Sequence, residues 1–320
     1  MKFYSWKDLD RFFQLNRNEW RGKIEDIEVY PSSITIYSNN ETKAADLVSK
    51  LLPSNLDSDR KSVKLDIGGQ VIPIVYEKAD DSKKTEIAPV PLFRDILYRQ
   101  SSYPKNIQPA ELKCRVIAFH SYKGGVGRTL SLLAFAKAWA TSFEDGDNKL
   151  LIIDADIEAP GLTWLYKEET NDIFSYLDLL TLIQDNDDID EIVDLACAKI
   201  GNLTTISTPT DRKIIEHIFL PTYRYKEQFL DIYANPETII NGKDKGYVLA
   251  NVLSKIGEKL NVAAVLVDLR TGISEFSSTL LFDARVKKYL VTTTSSQSIK
   301  GTKLILEYLL KGLEMNDDTI

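Results

Sequence analysis

The most constraining feature of this sequence is a glycine-rich loop between an apolar run and a run of helix-forming residues. The loop reads HSYKGGVGRTL over residues 120–130. An apolar, β-branched stretch at 115–119 precedes it, and a stretch rich in leucine and alanine at 132–140 follows it. A strand, a tight turn and a helix in this order bring backbone N–H groups and the positive end of a helix dipole to one point. The pattern therefore predicts a phosphate-binding loop at the edge of an α/β sheet.

Three glycines give this loop its predicted shape. Gly124, Gly125 and Gly127 can adopt positive φ, which lets backbone N–H groups close around phosphate oxygens. Common phosphate-binding loops carry a lysine and then a serine or threonine after the last glycine. This chain has Arg128 and Thr129 there, and an additional lysine, Lys123, directly before the glycines.

The pattern KGGVGRT resembles the deviant Walker A motif, KGGxGK[ST], of the ParA/MinD-like ATPases. The resemblance implies that Lys123 reaches across a dimer to the partner's nucleotide. It also implies that Arg128 clamps phosphate within its own subunit and that the Thr129 hydroxyl binds Mg²⁺. The nucleotide-binding residues implied for ATP are Lys123, Gly124, Gly125, Val126, Gly127, Arg128, Thr129 and Leu130.

A second motif follows the apolar run 149–153, which is typical of a buried parallel strand. The run ends in Asp154-Ala155-Asp156. Carboxylates at the carboxyl end of a parallel strand lie at the ligand edge of an α/β sheet. In the resembled family this D-x-D motif would place Asp156 near the attacking water and Asp154 near Mg²⁺. The alternative is that both aspartates only cap a helix or a turn.

A third motif is the apolar run 263–267, which ends in Asp268. A carboxylate in this position is a Walker B pattern, and its predicted role is to hold Mg²⁺. In the resembled family a glycine just after this aspartate senses the γ-phosphate, a role that Gly272 would take with slightly different spacing. Arg270 lies between Asp268 and Gly272, and its predicted role is only to pair with a nearby acidic residue.

At 320 residues the chain is too long for one typical core, so two domains are expected. Residues 1–90 show the order α-β-β-α-β-β and predict a small α+β module without a catalytic cluster. Residues 91–112 are interpreted as a linker. Residues 113–320 are predicted to form an α/β P-loop domain, with a mostly parallel sheet flanked by helices. No counterpart is found for the strand and loop that contact adenine in related ATPases, so either the chain is trimmed and its C-terminal edge incomplete, or base recognition comes from elsewhere.

Composition argues against several classes of protein. No run approaches 18 uncharged apolar residues, which argues against a membrane span. Two isolated cysteines indicate a reducing cytoplasm and give no metal spacing. The net charge of −7 argues against broad DNA binding and so against DNA partitioning. The acidic residues at 314–318 argue against docking on an anionic membrane. Nitrogenase-reductase-like redox chemistry would need cluster-ligating cysteines, which are not evident.

The resemblance implies an ATP-binding, nucleotide-switched regulatory ATPase that hydrolyses ATP slowly and forms a homodimer with ATP. The catalytic residues implied are Lys123, Arg128 and Asp156. Because arginine is not a conservative replacement for lysine, hydrolysis is expected to be reduced or absent. The alternative is a non-hydrolysing nucleotide-binding regulator whose N-terminal module recruits a protein partner. The motif with this added module also resembles regulatory ATPases of bacterial multi-gene systems, including anti-phage defence.

Overall fold

The computed structural model describes residues 2–66, 69–78, 93, 110–142, 148–166, 174–200, 205–211, 213–230, 234, 239 and 247–314. The chain divides into two compact units, Met1–Glu86 and Ile87–Ile320. Most of the linker predicted at 91–112 lies outside the described residues. No helix within the described ranges is both long and apolar enough to cross a membrane.

Across its described residues, the first unit contains a four-stranded sheet and three helices. Its elements, in chain order, are α1 (Trp6–Leu15), α2 (Arg17–Trp20), β1 (Asp26–Val29), β2 (Ile34–Tyr37), α3 (Glu41–Leu51), β3 (Ser62–Lys64) and β4 (Val71–Glu77). The strand order is β1-β2-β4-β3. β2 and β4 pair in parallel, while the two outer pairs are antiparallel. The short α2 is the one addition to the α-β-β-α-β-β order predicted from the sequence.

Local sequence explains how the first unit starts. Asp8 accepts a hydrogen bond from the Ser5 backbone N–H at 2.8 Å, which fixes the first turn of α1. The apolar face of α1 then buries Phe12 and Phe13. Trp20 is buried as well, and its indole N–H donates to the Phe13 carbonyl at 2.7 Å. These aromatic side chains are core residues, as large aromatic side chains usually are.

The second unit is built on a six-stranded sheet. Its strands are β5 (Arg115–His120), β6 (Leu150–Ala155), β7 (Thr205–Pro209), β8 (Ile214–Leu220), β9 (Ala264–Leu269) and β10 (Lys287–Leu290). Its helices are α4 (Arg128–Ser142), α5 (Gly161–Tyr166), α6 (Tyr176–Asp185), α7 (Ile189–Ile200), α8 (Val248–Lys259), α9 (Glu275–Leu281) and α10 (Ser296–Glu314). The strand order is β10-β5-β9-β6-β8-β7, and only the β7–β8 pair is antiparallel.

The central strands are covered on both faces. Every residue of β6 and β9 is buried, which explains why both read as continuous apolar runs. Successive residues alternate between two core clusters. Leu151 and Ile153 pack with helices α6, α7 and α8, whereas Leu150 and Ile152 pack with α4 and α5. The second unit is therefore an α/β fold with a mostly parallel sheet flanked by helices, as predicted.

Two segments differ from, or complete, the sequence prediction. The sequence around 203–206 and 214–220 is compatible with two strands or with a strand and a helix. The structure forms a strand pair there, β7 and β8. The strand predicted at 288–294 is shorter, because β10 ends at Leu290. The threonines that follow turn toward the start of α10 instead, where the Thr293 hydroxyl donates to Ser298 Oγ at 3.0 Å.

Candidate phosphate-binding site

The glycine-rich loop lies between β5 and α4, as its sequence predicts. β5 ends at His120 and α4 begins at Arg128. Gly125 and Gly127 have φ values of +73° and +87°, so a side chain at either position would strain the backbone. Gly124 does not have a positive φ, which corrects the expectation that all three glycines would use that region.

Four side chains at the base of the loop form one hydrogen-bonded cluster. Arg128 Nε donates to Asp268 Oδ1 at 2.5 Å, and an Arg128 terminal nitrogen, Nη2, donates to Asp156 Oδ2 at 3.0 Å. The Thr129 hydroxyl donates to Asp268 Oδ2 at 2.7 Å. The sheet explains the convergence, because β5, β6 and β9 are adjacent parallel strands whose carboxyl ends meet at one edge.

The three charged side chains of this cluster are buried, so each charge is unfavourable unless it is paired. Arg128 is 6% exposed, Asp156 is 3% exposed and Asp268 is fully buried. Burial raises the pKa of Asp268 and Arg128 opposes that effect. Burial alone would lower the pKa of Arg128, but the two carboxylates outweigh it and the pKa is raised, so the guanidinium stays charged. The cluster is a buried ion-pair network in which each charge depends on its partners.

Asp154 has a different environment from the other two aspartates. It lies opposite Asp268 in the β6–β9 register. Its Oδ2 accepts a hydrogen bond from the Thr163 backbone N–H at 2.7 Å, and its Oδ1 accepts one from the Asp156 backbone N–H at 3.3 Å. Burial raises the pKa of Asp154 to about 7, against the effect of the Thr163 hydrogen bond. Asp154 thus shapes the turn after β6.

Asp156 takes the turn role that its sequence left open, and it also contacts Arg128. Its Oδ1 accepts a hydrogen bond from the Ala159 backbone N–H at 3.2 Å, as a turn aspartate would. Its Oδ2 meets Arg128 in the cluster. One carboxylate oxygen therefore holds the turn, and the other faces the base of the phosphate-binding loop.

The donor set of Thr129 and Asp268 fits a Mg²⁺ ion. A hydroxyl and a carboxylate are hard oxygen ligands, and Mg²⁺ in phosphate-binding sites takes one or two of these plus phosphate oxygens. Within the described ranges, no group of three or more His, Cys, Asp or Glu side chains is placed to hold a metal. Phosphate oxygens and water would take the remaining coordination positions of a Mg²⁺ ion at Thr129 and Asp268.

The remaining loop residues that the sequence assigns to the nucleotide line its outer side. Lys123 is exposed and takes no part in the hydrogen bonds described for the Arg128 cluster, while Val126 is half-buried. Leu130 is 69% exposed although it lies in the first turn of α4. An exposed lysine beside the glycines is free to meet a charge from outside its own subunit.

The loops after β6 and β9 are joined by an ion pair between Arg270 and Glu158. The sequence predicted an acidic partner for Arg270 but did not identify it. Gly272, with φ of +78°, donates its backbone N–H to the Ser121 carbonyl at 2.9 Å. The segment after Asp268 thus contacts the start of the phosphate-binding loop.

Sequence reasoning missed His120, the last residue of β5. Its side chain is fully buried, and neither ring nitrogen has a hydrogen-bond partner among the described residues. Burial, reinforced by the positive charge of Arg128, lowers the pKa of His120 to about 4. The imidazole is therefore neutral at pH 7. The available signal was its position, because a polar residue ends an otherwise apolar strand at the ligand edge.

A glycine in α10 was also missed. A Cβ atom at Gly301 would lie 1.8 Å from the Tyr122 ring, so only glycine allows this ring to pack against α10. Tyr122 directly precedes Lys123, and the contact holds the start of the loop against a long helix. Nothing in the spacing of a single glycine within a helical sequence identifies such a contact.

Comparisons with known proteins gave similarities in structure. No family model and no curated protein matches the sequence. A ParA-family ATPase from Chlorobium tepidum TLS has 20% identity, covers 60% of this chain and 66% of its own, and has a TM-score of 0.38. A plasmid partition protein from Borrelia burgdorferi B31 bound to AMPPNP has 18% identity, coverage of 63% and 70%, and a TM-score of 0.40. A further Borrelia burgdorferi plasmid partition protein has 18% identity, coverage of 62% and 73%, and a TM-score of 0.39. The α/β class of this chain rests on its own strand order and parallel register.

Proposed function

We propose that this chain is an ATP-binding, nucleotide-switched regulatory ATPase that hydrolyses ATP slowly and dimerises with ATP. The observation that supports the proposal is the cluster of Arg128, Thr129, Asp156 and Asp268 at the base of a glycine-rich loop. A strand, such a loop and a helix N-terminus form a phosphate site, and acids from the ends of β9 and β6 complete it. Catalysis of phosphoryl transfer consists mainly of positioning and charge stabilisation, which are the tasks this set of residues can perform.

Each residue of the proposed site has a defined task. Backbone N–H groups of the loop would bind the β- and γ-phosphates, and Arg128 would contact the same oxygens. Thr129 and Asp268 would hold Mg²⁺, which neutralises charge on the phosphate oxygens. The Asp156 carboxylate oxygen that faces Arg128 would orient the attacking water once the guanidinium contacts phosphate. Lys123 would be supplied to the nucleotide by the partner subunit.

Slow hydrolysis follows from the contacts of Arg128. The guanidinium is bound to Asp156, the residue proposed to orient water, and to Asp268. A charge that is engaged with two buried carboxylates stabilises developing phosphate charge less than a free one does. The same contacts favour the second candidate function, a regulator that binds nucleotide without hydrolysing it.

The N-terminal unit is proposed to recruit a protein partner. It has its own core, and its described residues show no cluster that would support catalysis. In this proposal the two units and the homodimer work in the cytoplasm, as a regulatory part of a bacterial multi-gene system such as anti-phage defence. A pull-down from cell extract in ATP and in ADP tests whether the partner depends on the nucleotide.

Calorimetric titration with MgATP, together with an assay of ADP release, tests the proposed function. Wild-type protein should bind MgATP, and Thr129→Ala should weaken binding roughly tenfold or more, because a charge-assisted contact contributes about 1.5–3 kcal/mol. Thr141→Ala, at an exposed threonine of the same helix, is the matched control and should bind normally. Absence of MgATP binding to the wild type would contradict the proposal. ADP release that does not exceed that of Asp156→Ala would favour the non-hydrolysing regulator.

A further inference from the structure

The guanidinium of Arg128 is hydrogen-bonded to Asp156 and Asp268, the two carboxylates that the proposed nucleotide chemistry requires. Its Nε and Nη2 atoms contact Asp268 and Asp156 at 2.5 and 3.0 Å. Asp268 Oδ2 is engaged as well, because it accepts a hydrogen bond from the Thr129 hydroxyl at 2.7 Å. A divalent cation that uses Thr129 and Asp268 must therefore replace hydrogen bonds that already exist.

The third nitrogen of the guanidinium is unsatisfied. Arg128 Nη1 is buried and has no hydrogen-bond partner among the described residues. Buried donors of this kind are rarely left unpaired, and the arginine fork matches two oxygens of a phosphate group. Arg128 lies at the first position of α4, directly after Gly127, so a phosphate in the loop would be an acceptor within the same local site.

We propose that Arg128 is a latch on the metal site, with the arrangement described above as its closed position. Asp156 and Asp268 hold the guanidinium, and a divalent cation reaches Asp268 and Thr129 only after nucleotide phosphate has drawn the guanidinium away. This proposal rests on the proposed function, because it specifies how the same site is regulated. It makes nucleotide binding precede metal binding, and it releases the water-orienting carboxylate of Asp156 only at that point.

An arginine is suited to this latch and a lysine is not. The planar guanidinium presents five donors in a fixed fork, so it can bridge two carboxylates and still keep one nitrogen for phosphate. A lysine ammonium is a single charged centre that would hold the two acids less firmly. Breaking the arginine contacts without a replacement cation would leave two buried carboxylates unpaired, which is strongly unfavourable. Phosphate therefore takes the guanidinium first, and the cation then supplies the positive charge that Asp156 and Asp268 have lost.

Binding of Mn²⁺ to protein without nucleotide, measured from the electron paramagnetic resonance signal of the free ion, tests the latch. Arg128→Gln should bind Mn²⁺ at least about tenfold more tightly than wild type, since one charge-assisted contact no longer has to be replaced. Lys137→Gln is the matched control, because it removes one positive charge from an exposed position of the same helix. Its Mn²⁺ affinity should equal that of the wild type.

Equal Mn²⁺ affinity of wild type and Arg128→Gln, whether both bind or neither does, would overturn the latch. If Arg128→Gln does not fold, Arg128→Lys replaces it and should again bind Mn²⁺ more tightly than wild type. A second measurement tests whether phosphate opens the latch. The NMR signal of Arg128 Nε should shift when AMPPNP is added without metal. An unchanged signal from protein saturated with AMPPNP would overturn that step. Because the Mn²⁺ comparison uses no nucleotide, its result is separate from a failure of the wild type to bind MgATP.

Discussion

At the scale of single residues, burial decides the charge state of both histidines in the described structure. His217 of β8 is fully buried, and its Nδ1 accepts a hydrogen bond from the Leu150 backbone N–H at 3.2 Å. Burial lowers the pKa of His217 to about 4, and the opposing charge of Glu216 does not restore it. A neutral imidazole in this position is structural, as its apolar sequence surroundings predict.

The lowered pKa of His217 predicts a loss of stability in acid. An unfolded histidine has a pKa near 6.5, so the unfolded chain binds the proton first as the pH falls. The contribution of His217 is complete above about pH 6.5 and is lost as the pH falls toward 4; its size is on the order of 3 kcal/mol. His217→Asn keeps an acceptor for Leu150 but does not titrate, so its free energy of unfolding should fall less steeply than that of the wild type between pH 6.5 and 4.

Urea denaturation at several pH values compares the two proteins. His120 and Asp154 titrate equally in both, so their effects cancel in the difference between the curves. Asp154 acts in the opposite direction, because its raised pKa costs stability as the pH rises toward about 7. Parallel curves for wild type and His217→Asn would show that His217 is not responsible for the acid sensitivity.

The sequence located the site residues better than it located their contacts. The motifs implied that Thr129 and Asp268 bind the same ion, and the structure brings them together because β5 and β9 are adjacent parallel strands. The direction of the Arg128 side chain could not be predicted in this way. It depends on two buried carboxylates brought from different strands, and their need for a counter-charge is apparent only once the sheet is formed. The assigned roles in ATP binding and hydrolysis stay predictions.

At the scale of helices and strands, periodicity predicted most of the second unit. The apolar runs of β6 and β9 and the helical run of α4 are local features that the fold preserves. The predicted end of the last strand was wrong. β10 stops at Leu290, and the Thr293 hydroxyl beyond it contacts Ser298 near the start of α10. Contacts between elements were invisible in the sequence, and Gly257 of α8 is the clearest example.

The close packing of α8 against the sheet predicts an unfavourable Gly257→Ala substitution. An added Cβ would lie 2.6 Å from Cys114 Sγ and 2.8 Å from Val265 Cγ2. Overpacking costs about 1–3 kcal/mol, which exceeds the gain of about 1 kcal/mol in helix propensity over most of that range. Calorimetry should therefore show a lower melting temperature for Gly257→Ala.

Removal of the Cys114 side chain provides the control for this clash. Cys114→Ala should cost stability in the wild type because it leaves a small cavity. In the Gly257→Ala background the same substitution should cost less or stabilise, because it removes one of the crowded atoms. A double-mutant cycle measures the difference as an interaction energy. Strictly additive effects would mean that α8 shifts away and that the contact does not limit packing.

At the scale of the whole molecule, Lys123 is the residue whose position a single subunit does not explain. The base of the loop already contains a cation, Arg128, and Lys123 is exposed outside the cluster. In a two-fold symmetric dimer each subunit would give its lysine to the other's phosphates, so that both sites are completed by one interface. Because nucleotide would be needed to attract the lysine, association should depend on bound ATP.

We therefore predict that a non-hydrolysed ATP analogue with Mg²⁺ converts the protein to a dimer, as measured by light scattering. Lys123→Ala should prevent the dimer while leaving nucleotide binding to the monomer nearly unchanged, since in this arrangement the lysine would contact only the partner's nucleotide. Lys137→Ala removes an exposed lysine from α4 and should dimerise like the wild type. If wild-type protein remains monomeric with its site saturated by the analogue, the dimer switch is wrong. Lys123 would then be a solvated residue beside a site that works within one subunit.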